Sequence, residues 1–344
     1  MRLMSSPWFA VRNLALAALA AATAAAATRP HYGGTLRVEI RQSFETPDPP
    51  TTGYGMPELA RAFAITLWEA GRRAVYAADE DAPGGRPFPD TVEIEMARPL
   101  REQSIDLELG KTDVVELGPS ELRRQPAGRK VWSSAPVRLV ALVFSTRVED
   151  ARIREALALA VDRAAIHNVL LQRQGEVTAA LLPQWLSGYA FLFPTAADAA
   201  RARTLVAGLP GAARAISLGV EDAASRPIAE RIALNARDAG LAVSVTTQAA
   251  GADARLVEVR VDASDPALAL AGIALSLGLP EPPHNGSPDA LYAAERALLE
   301  GFRVIPLFHL PDVYGVNPRV KGRPGITPRG QWRFENLWVE GGRP

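Results

Sequence analysis

The sequence predicts an α/β protein of two lobes, and three observations carry that reading. Ala215 to Thr246 reads as strand, helix, strand, a unit that joins parallel strands through a right-handed crossover. Helix-like and strand-like stretches are mixed along the rest of the chain, as in α/β architectures. A length of 344 residues allows about two domains at roughly 150 residues each.

In chain order, Leu36 to Arg41 alternates apolar and charged residues, as a strand does. A turn-rich stretch follows, Glu45 to Gly55, dense in Pro, Thr and Gly. Leu59, Phe63 and Leu67 recur every fourth residue before Gly71, which predicts a helix and its stop. Asp79 to Pro89 is a Pro/Gly/Asp loop. Val92, Ile94 and Met96 alternate in a strand, Pro99 to Leu109 reads as a helix, and Asp113 to Glu116 as a short strand. Val137 to Ser145 is a nearly continuous apolar run, the pattern of a strand buried on both faces. Asp150 caps a long expected helix reaching about Gln174, with Gly175 as its stop. A helix is expected at Ala197 to Ala207. The crossover unit then places strands at Ala215 to Val220 and Leu241 to Thr246 around a helix at Ala223 to Ala239. Leu256 to Val261 is a further strand. Ser287 and Pro288 open a helix as cap and first residue, reaching about Phe302. Val304 to His309 and Val313 to Val316 are apolar runs flanking Pro311.

Composition narrows the function classes. The chain is 48% hydrophobic and 22% charged, which suits a folded protein rather than a disordered one. Its 38 basic and 38 acidic residues give a net charge of zero, against a nucleic-acid binder, which shows a basic excess or stripe. Cysteine is absent, so disulfides, thiolate metal sites, a Cys nucleophile and a lipid-modified Cys are excluded for this sequence. Only Lys111, Lys130 and Lys321 are lysines, a bias read with the Ala excess as genomic composition.

The N-terminus reads as an export signal. Arg2 and Arg12 precede an apolar stretch from Leu14 to Ala22 and an Ala-rich run with A-x-A sites between Ala24 and Ala27. The run is shorter and weaker than the ~20 apolar residues that a membrane span needs. Cleavage of residues 1–27 leaves 317 residues with a net charge of −2, so a soluble periplasmic protein without a lipid anchor is expected.

No catalytic constellation emerges. Gly110-Lys111-Thr112 resembles the end of a phosphate-binding loop, but Ile105 stands where that loop needs glycine. His31, His167, His284 and His309 are dispersed, and none pairs with another at metal-ligand spacing. Neither an enzyme, a metal site nor a cofactor is expected.

Several segments together resemble the extracellular solute-binding proteins of family 5, the dipeptide-, oligopeptide- and nickel-type receptors of ABC importers. Gly33-Gly34-Thr35-Leu36-Arg37-Val38 is similar to the family's opening strand, and Thr46-Pro47-Asp48-Pro49 to its Leu-Asp-Pro turn. Arg86-Pro87-Phe88-Pro89-Asp90 resembles G-[RK]-P-Y-L-D, and Gly110 to Val114 resembles s-G-e-i-D. Asp150 to Arg163 (DARIREALALAVDR) is close to D-x-R-V-R-x-A-L-x-x-A-[IV]-D-R. Glu300 to Phe308 carries the family's viPLy pattern, and Lys321-Gly322 its vkG. Between Gly71 and Arg86 the chain lacks the family's long F-x-L-R-x-G-V-x-F-x-D-G segment, so an extra subdomain beside the first lobe is missing.

The resemblance implies a two-lobed periplasmic-binding-protein-like (type II) fold with mixed sheets and a hinge. One lobe would comprise 28–146 plus 312–344 and the other 147–311, with crossings near Ser145–Arg147 and Leu310–Tyr314. It implies capture of a peptide-like or similar small solute by hinge closure, delivery to an ABC permease in the inner membrane, and a monomer. The alternative is a reduced relative without transport, acting as a periplasmic interaction or scaffold protein. Peptide-binding members set an Asp of a D-x-x-[DE]-P sequence against the ligand's α-amino group. Asp262-Ala-Ser-Asp265-Pro266 has that spacing, although the family's Trp three residues earlier is Val259 here. The same residues fit a helix cap or turn, so Asp262 and Asp265 carry both readings. Trp185, Tyr189, Phe191 and Phe193 fit a cleft lining or a core. Arg147 and Arg163 are candidates for a ligand carboxylate, although Arg163 fits a helix surface better.

Overall fold

The computed structural model describes residues 29–44, 59, 61–126, 128–189, 192–283, 287–326 and 332–340. The expected export signal, the turn at Thr46–Pro49, His284 and Phe191 lie outside the described residues.

The elements run β1 (Thr35–Glu39), β2 (Phe63–Glu69), β3 (Arg73–Ala78), β4 (Thr91–Glu95), α1 (Leu100–Glu108), β5 (Val114–Glu116), α2 (Pro119–Arg124) and β6 (Lys130–Phe144). Next come α3 (Ala151–Ala160), α4 (Arg163–Val169), β7 (Glu176–Val177), α5 (Gln184–Ser187), α6 (Ala199–Ala207), β8 (Ala215–Val220), α7 (Arg226–Asp238) and β9 (Ala242–Thr246). The chain continues through β10 (Ala254–Arg260), α8 (Pro266–Ser276), α9 (Pro288–Leu299) and β11 (Val304–Val316), and short β-pairs follow it. One mixed sheet of 11 strands runs β2-β3-β4-β1-β5-β11-β6-β10-β8-β9, with β7 beside β11. The strand–helix–strand unit has the expected form: β8 and β9 pair in parallel, and α7 buries Ile228, Ala229, Ile232 and Ala236 beneath them.

Two predicted elements differ. The Phe63 segment is a strand, not a helix, paired antiparallel with β3 through a turn at Gly71, whose φ is +65°. The four-residue spacing of apolar residues fits either form. The aromatic and β-branched content of Phe63–Glu69 and the adjacent partner strand decide for β. Ile65 and Leu67 are left exposed, so no amphipathic helical face exists to bury. The long helix from Asp150 is broken at Val161, which leaves helical geometry with ψ of 112°. Asp162 then caps a second helix by accepting from the Ala165 N–H at 2.9 Å. Gly175 lies beyond that helix with φ of +71°, and a Cβ there would sit 2.0 Å from the His309 carbonyl oxygen, so only glycine fits against β11.

The apolar core divides into separate clusters. Leu36, Val38, Ile94, Trp132, Tyr314 and Val316 belong to one, which also takes up Trp332 and Phe334 near the C-terminus. Val140, Leu142, Leu157, Ile232 and Phe308 belong to a second. Leu139, Ala141, Leu181, Leu270 and Ile273 form a third on the opposite face of β6. The period of two along β6 explains how one strand feeds both faces. The change of core falls inside β6, between Trp132 and Leu139, which is earlier than Ser145–Arg147. In β11 it falls between Leu310 and Tyr314.

Among the described residues no helix is long and apolar enough to cross a membrane.

Candidate functional site

β6 and β11 are the two long strands that pass from one core region to the other, pairing antiparallel along most of their length. Pro136 and Pro311 face each other in that pair, and the register shifts on both sides of Pro311. Neither residue has an N–H, so the ladder is weakest at this level. Side chains take up the carbonyls there. Arg138 Nη2 donates to the Pro311 oxygen at 2.8 Å, and Trp185 Nε1 donates to the Pro136 oxygen at 2.7 Å. Ser134 Oγ accepts the Asp312 N–H at 2.8 Å.

Above this crossing lies a cleft of about 570 Å³. Its first wall is the β5–α2 segment, Glu116 to Arg123, with Arg41 from the chain after β1. Its second wall is Leu170, Leu171 and Gln174 after α4, with Asp222 to Ile228 at the start of α7. Its floor is Arg138, Glu258, Arg260, Pro311, Asp312 and Tyr314, from three neighbouring strands.

The floor charges compensate one another. Asp312 Oδ2 takes Arg260 Nη2 at 2.6 Å, and Asp312 Oδ1 lies 3.1 Å from Arg138 Nε. Arg138 Nη1 also pairs with Glu258 at 2.7 Å. Burial opposes the Arg138 charge, but Glu258 and Asp312 outweigh that cost and hold its pKa above the ordinary guanidinium value. The Tyr314 phenol is raised well above its ordinary value, first by desolvation and then by Asp312 and Glu116. Across the walls, Arg41 Nη1 pairs with Asp222, and Arg123 Nη2 donates to the Val169 carbonyl at 3.1 Å. These two contacts join the walls directly.

The residues singled out from sequence lie elsewhere. Tyr189 donates its hydroxyl to the fully buried Glu295, stacks edge-on against Tyr292 and packs on the third core cluster. Glu295 also accepts from the Leu181 and Leu182 N–H groups, so Tyr189 completes an interior network rather than a wall of the cleft. Phe193 packs against Phe302. Asp265 caps α8 by accepting from the Leu268 N–H at 2.9 Å. The Asp262 carboxylate lies over α8, where a Cβ on Gly272 would come within 3.5 Å of it. Arg147 donates to the Gly251 carbonyl and lies 3.5 Å from Asp253. Arg163 is buried and donates to the Pro306 and Ala158 carbonyls. Of this set only Trp185 reaches the crossing, through its bond to Pro136. Asp265 takes the cap reading that its spacing also allowed, while Tyr189, Arg147 and Arg163 are held by distant partners that sequence spacing does not reveal.

The cleft charges did leave a trace in the sequence. Arg138 is the one charge between Val131 and Phe144, and Asp312 is the one acid between Val304 and Val316. A charge inside an apolar strand must find a partner or a ligand, because burying it alone is costly.

The described His residues are structural. His309 is fully buried, with Nε2 2.9 Å from the Leu181 oxygen and Nδ1 3.5 Å from Glu176. His31 and His167 bond the Val339 and Gly175 carbonyls. Among the described residues no group of three or more His, Cys, Asp or Glu is placed to hold a metal ion.

Two core regions, two crossing strands and a charged cleft between them define a two-lobed binding-protein fold of the periplasmic type. The family description "bacterial extracellular solute-binding proteins, family 5 Middle" matches residues 17–285, and the chain belongs to that family. Among solved structures, NikA from Brucella suis in complex with Fe(III)-EDTA superposes with a TM-score of 0.68 at 19% identity, covering 81% of this chain and 68% of that one. NikA from Staphylococcus aureus in complex with Ni(L-His)2 gives 0.67 at 15%, covering 81% and 68%. DppA from Helicobacter pylori in complex with the peptide STSA gives 0.65 at 18%, covering 81% and 62%. At these identities the likeness shows the fold, and the chain spans about two thirds of the length of these structures. No curated protein sequence matches the chain.

The family match also gives its sequence signatures a physical meaning. Arg154 of the DARIREALALAVDR segment holds the Val148, Glu149 and Gly301 carbonyls. Arg163 of the same segment holds the carbonyl of Pro306 in Val304–Phe308, at the bulge where β11 shifts register. The two signatures therefore bond to each other and build the scaffold, away from the cleft.

Proposed function

We propose that this chain is the periplasmic solute-binding receptor of an ABC importer, closing its cleft on a small peptide-like solute or metal chelate and presenting the closed form to a permease in the inner membrane. Membership of the family supports the receptor class. The carrying observation is the cleft itself: it lies between two cores, over a crossing of two strands weakened by the facing Pro136 and Pro311. We place the hinge at those prolines, so the first lobe ends within β6 rather than at residue 146. Closure gains free energy only from contacts that a solute makes better in the closed form. The floor pairs position the walls without a net charge of their own, which leaves selectivity to the wall residues. The proposed solute site is this cleft, in place of the group Asp262, Asp265, Tyr189 and Arg147.

A thermal-shift screen of the exported chain against di- to pentapeptides and nickel or iron chelates tests the reading. A solute at 100 times its dissociation constant adds about 2.7 kcal/mol to the folded state. A flat response across all these classes removes the receptor role. A chain that works as an exported monomer elutes at the monomer volume with and without solute.

A further inference from the structure

Four guanidinium and five carboxyl groups line the cleft. Three of the carboxylates are spoken for: Asp222 by Arg41, and Glu258 and Asp312 by Arg138 and Arg260. Glu116 and Glu121 remain. Neither forms an ion pair with another described residue. Both stand on the first wall, five residues apart across the turn into α2. Glu121 is only 8% exposed, and its carboxylate folds back over Gly118, itself part of the wall. Glu116 is half-buried at the end of β5. Its backbone is fixed by the Gln103 side chain, which accepts its N–H at 2.8 Å, and its carboxylate accepts the Arg41 backbone N–H.

Among the described residues neither carboxyl group has a cation within ion-pair distance, although the Arg41 and Arg138 charges act on Glu116 from farther off; in a walled cleft whose other acids are paired, the two form an incomplete site. Burial raises the Glu116 pKa; the Arg41 N–H and charge oppose that, Asp312 adds to it and Arg138 opposes it. A cation arriving from solution would supply what the wall lacks, since a desolvated carboxylate gains most from a charged donor. Arg123, the remaining guanidinium on this wall, is turned to the Val169 carbonyl and does not fill the gap.

We infer that the cleft selects a solute bearing an ammonium or guanidinium group, received between Glu116 and Glu121 on the first wall. This rests on the receptor reading above and names the class of solute for it.

Isothermal titration calorimetry on the full chain separates the two. The probes are three N-acetylated tripeptides, Ala-Lys-Ala, its cation-free isostere Ala-norleucine-Ala and Ala-Glu-Ala, together with putrescine. The lysine peptide is expected to bind about tenfold or more tighter than the norleucine peptide, the worth of one charge-assisted bond. In Glu116→Gln with Glu121→Gln that advantage disappears while norleucine-peptide affinity holds. Each single change, which keeps the shape and the Arg41 N–H acceptor, lowers the advantage in part, and an unchanged melting temperature shows that folding is intact. Equal binding of the lysine and norleucine peptides, or an advantage that survives the double change, overturns the cation site and leaves the receptor standing. Heat from none of the four probes, with the screen above also flat, removes the receptor and this inference with it.

Discussion

Two sets of buried arginines show what separates scaffold from site in this molecule. Arg154 and Arg163, in the α3–α4 segment, bind only backbone carbonyls. Desolvation lowers the pKa of both, and Arg163 is pushed down to about 10. Arg138 and Arg260, on the cleft floor, bind carboxylates, Arg138 with the Pro311 carbonyl besides, and Arg138 is pushed the other way. A carbonyl partner fixes chain geometry and offers a ligand nothing. A carboxylate partner keeps the charge alive at a wet boundary, where a solute can meet it. The same side chain is a strut in one setting and part of a binding surface in the other.

The largest expected effect breaks the floor. Asp312→Ala removes a carboxylate that Arg138 and Arg260 share, leaving Glu258 beside Arg138, and lowers the unfolding free energy by about 4 kcal/mol, because a buried pair loses one of its partners. It also weakens any solute bound in the cleft, and urea denaturation with calorimetry reads both. Arg163→Met is expected to cost about 3 kcal/mol through the unmet Pro306 and Ala158 carbonyls. Solute affinity of the folded fraction stays the same; a selective loss of affinity would erase the contrast between the two sets.

Glu39 sharpens it from the acid side. It is buried beside Arg98, yet desolvation first, and then Asp106, lift its pKa from 4.5 to about 7. The folded state therefore holds this proton more tightly than the unfolded chain. Its contribution is complete below pH 4.5 and is lost as pH rises through about 7. The loss is at most about 3 kcal/mol, and smaller by the extent to which water screens the carboxyl. Glu39→Gln should flatten the fall in melting temperature across that window; an unchanged slope would contradict the assignment. The smallest effect is Asp265→Ala, expected to cost about 1 kcal/mol as a lost helix cap with no change in solute affinity. A loss of affinity there would return Asp265 to the site.

The fold was largely legible because its signals are local. Asp150 and Ser287 cap helices that begin where the sequence places them. The Ala215–Thr246 unit needed only alternation and a helical face. The Phe63 segment failed because its apolar spacing serves helix and strand alike, and the choice rests on β3 lying beside it. Helix α8 was anticipated only through the cap reading of Asp265, since PALALAGIALS is apolar on every side and shows no period.

The cleft was far less legible. Tyr189 has the chemistry of a ligand contact, and only the position of Glu295, over a hundred residues away, turns it inward. Arg41, Glu116 and Asp222 look like ordinary scattered charges until the sheet order brings their strands and loops to one opening. Residue order by itself determined the α/β class, the helix caps and the paired signatures of the family, because these rest on neighbours a few residues apart or on recurring segments. Tertiary structure alone decided which charges are partnered and which two of the cleft acids, Glu116 and Glu121, make no ion pair among the described residues, because ion pairing depends on distances of a few ångströms between residues far apart in the chain.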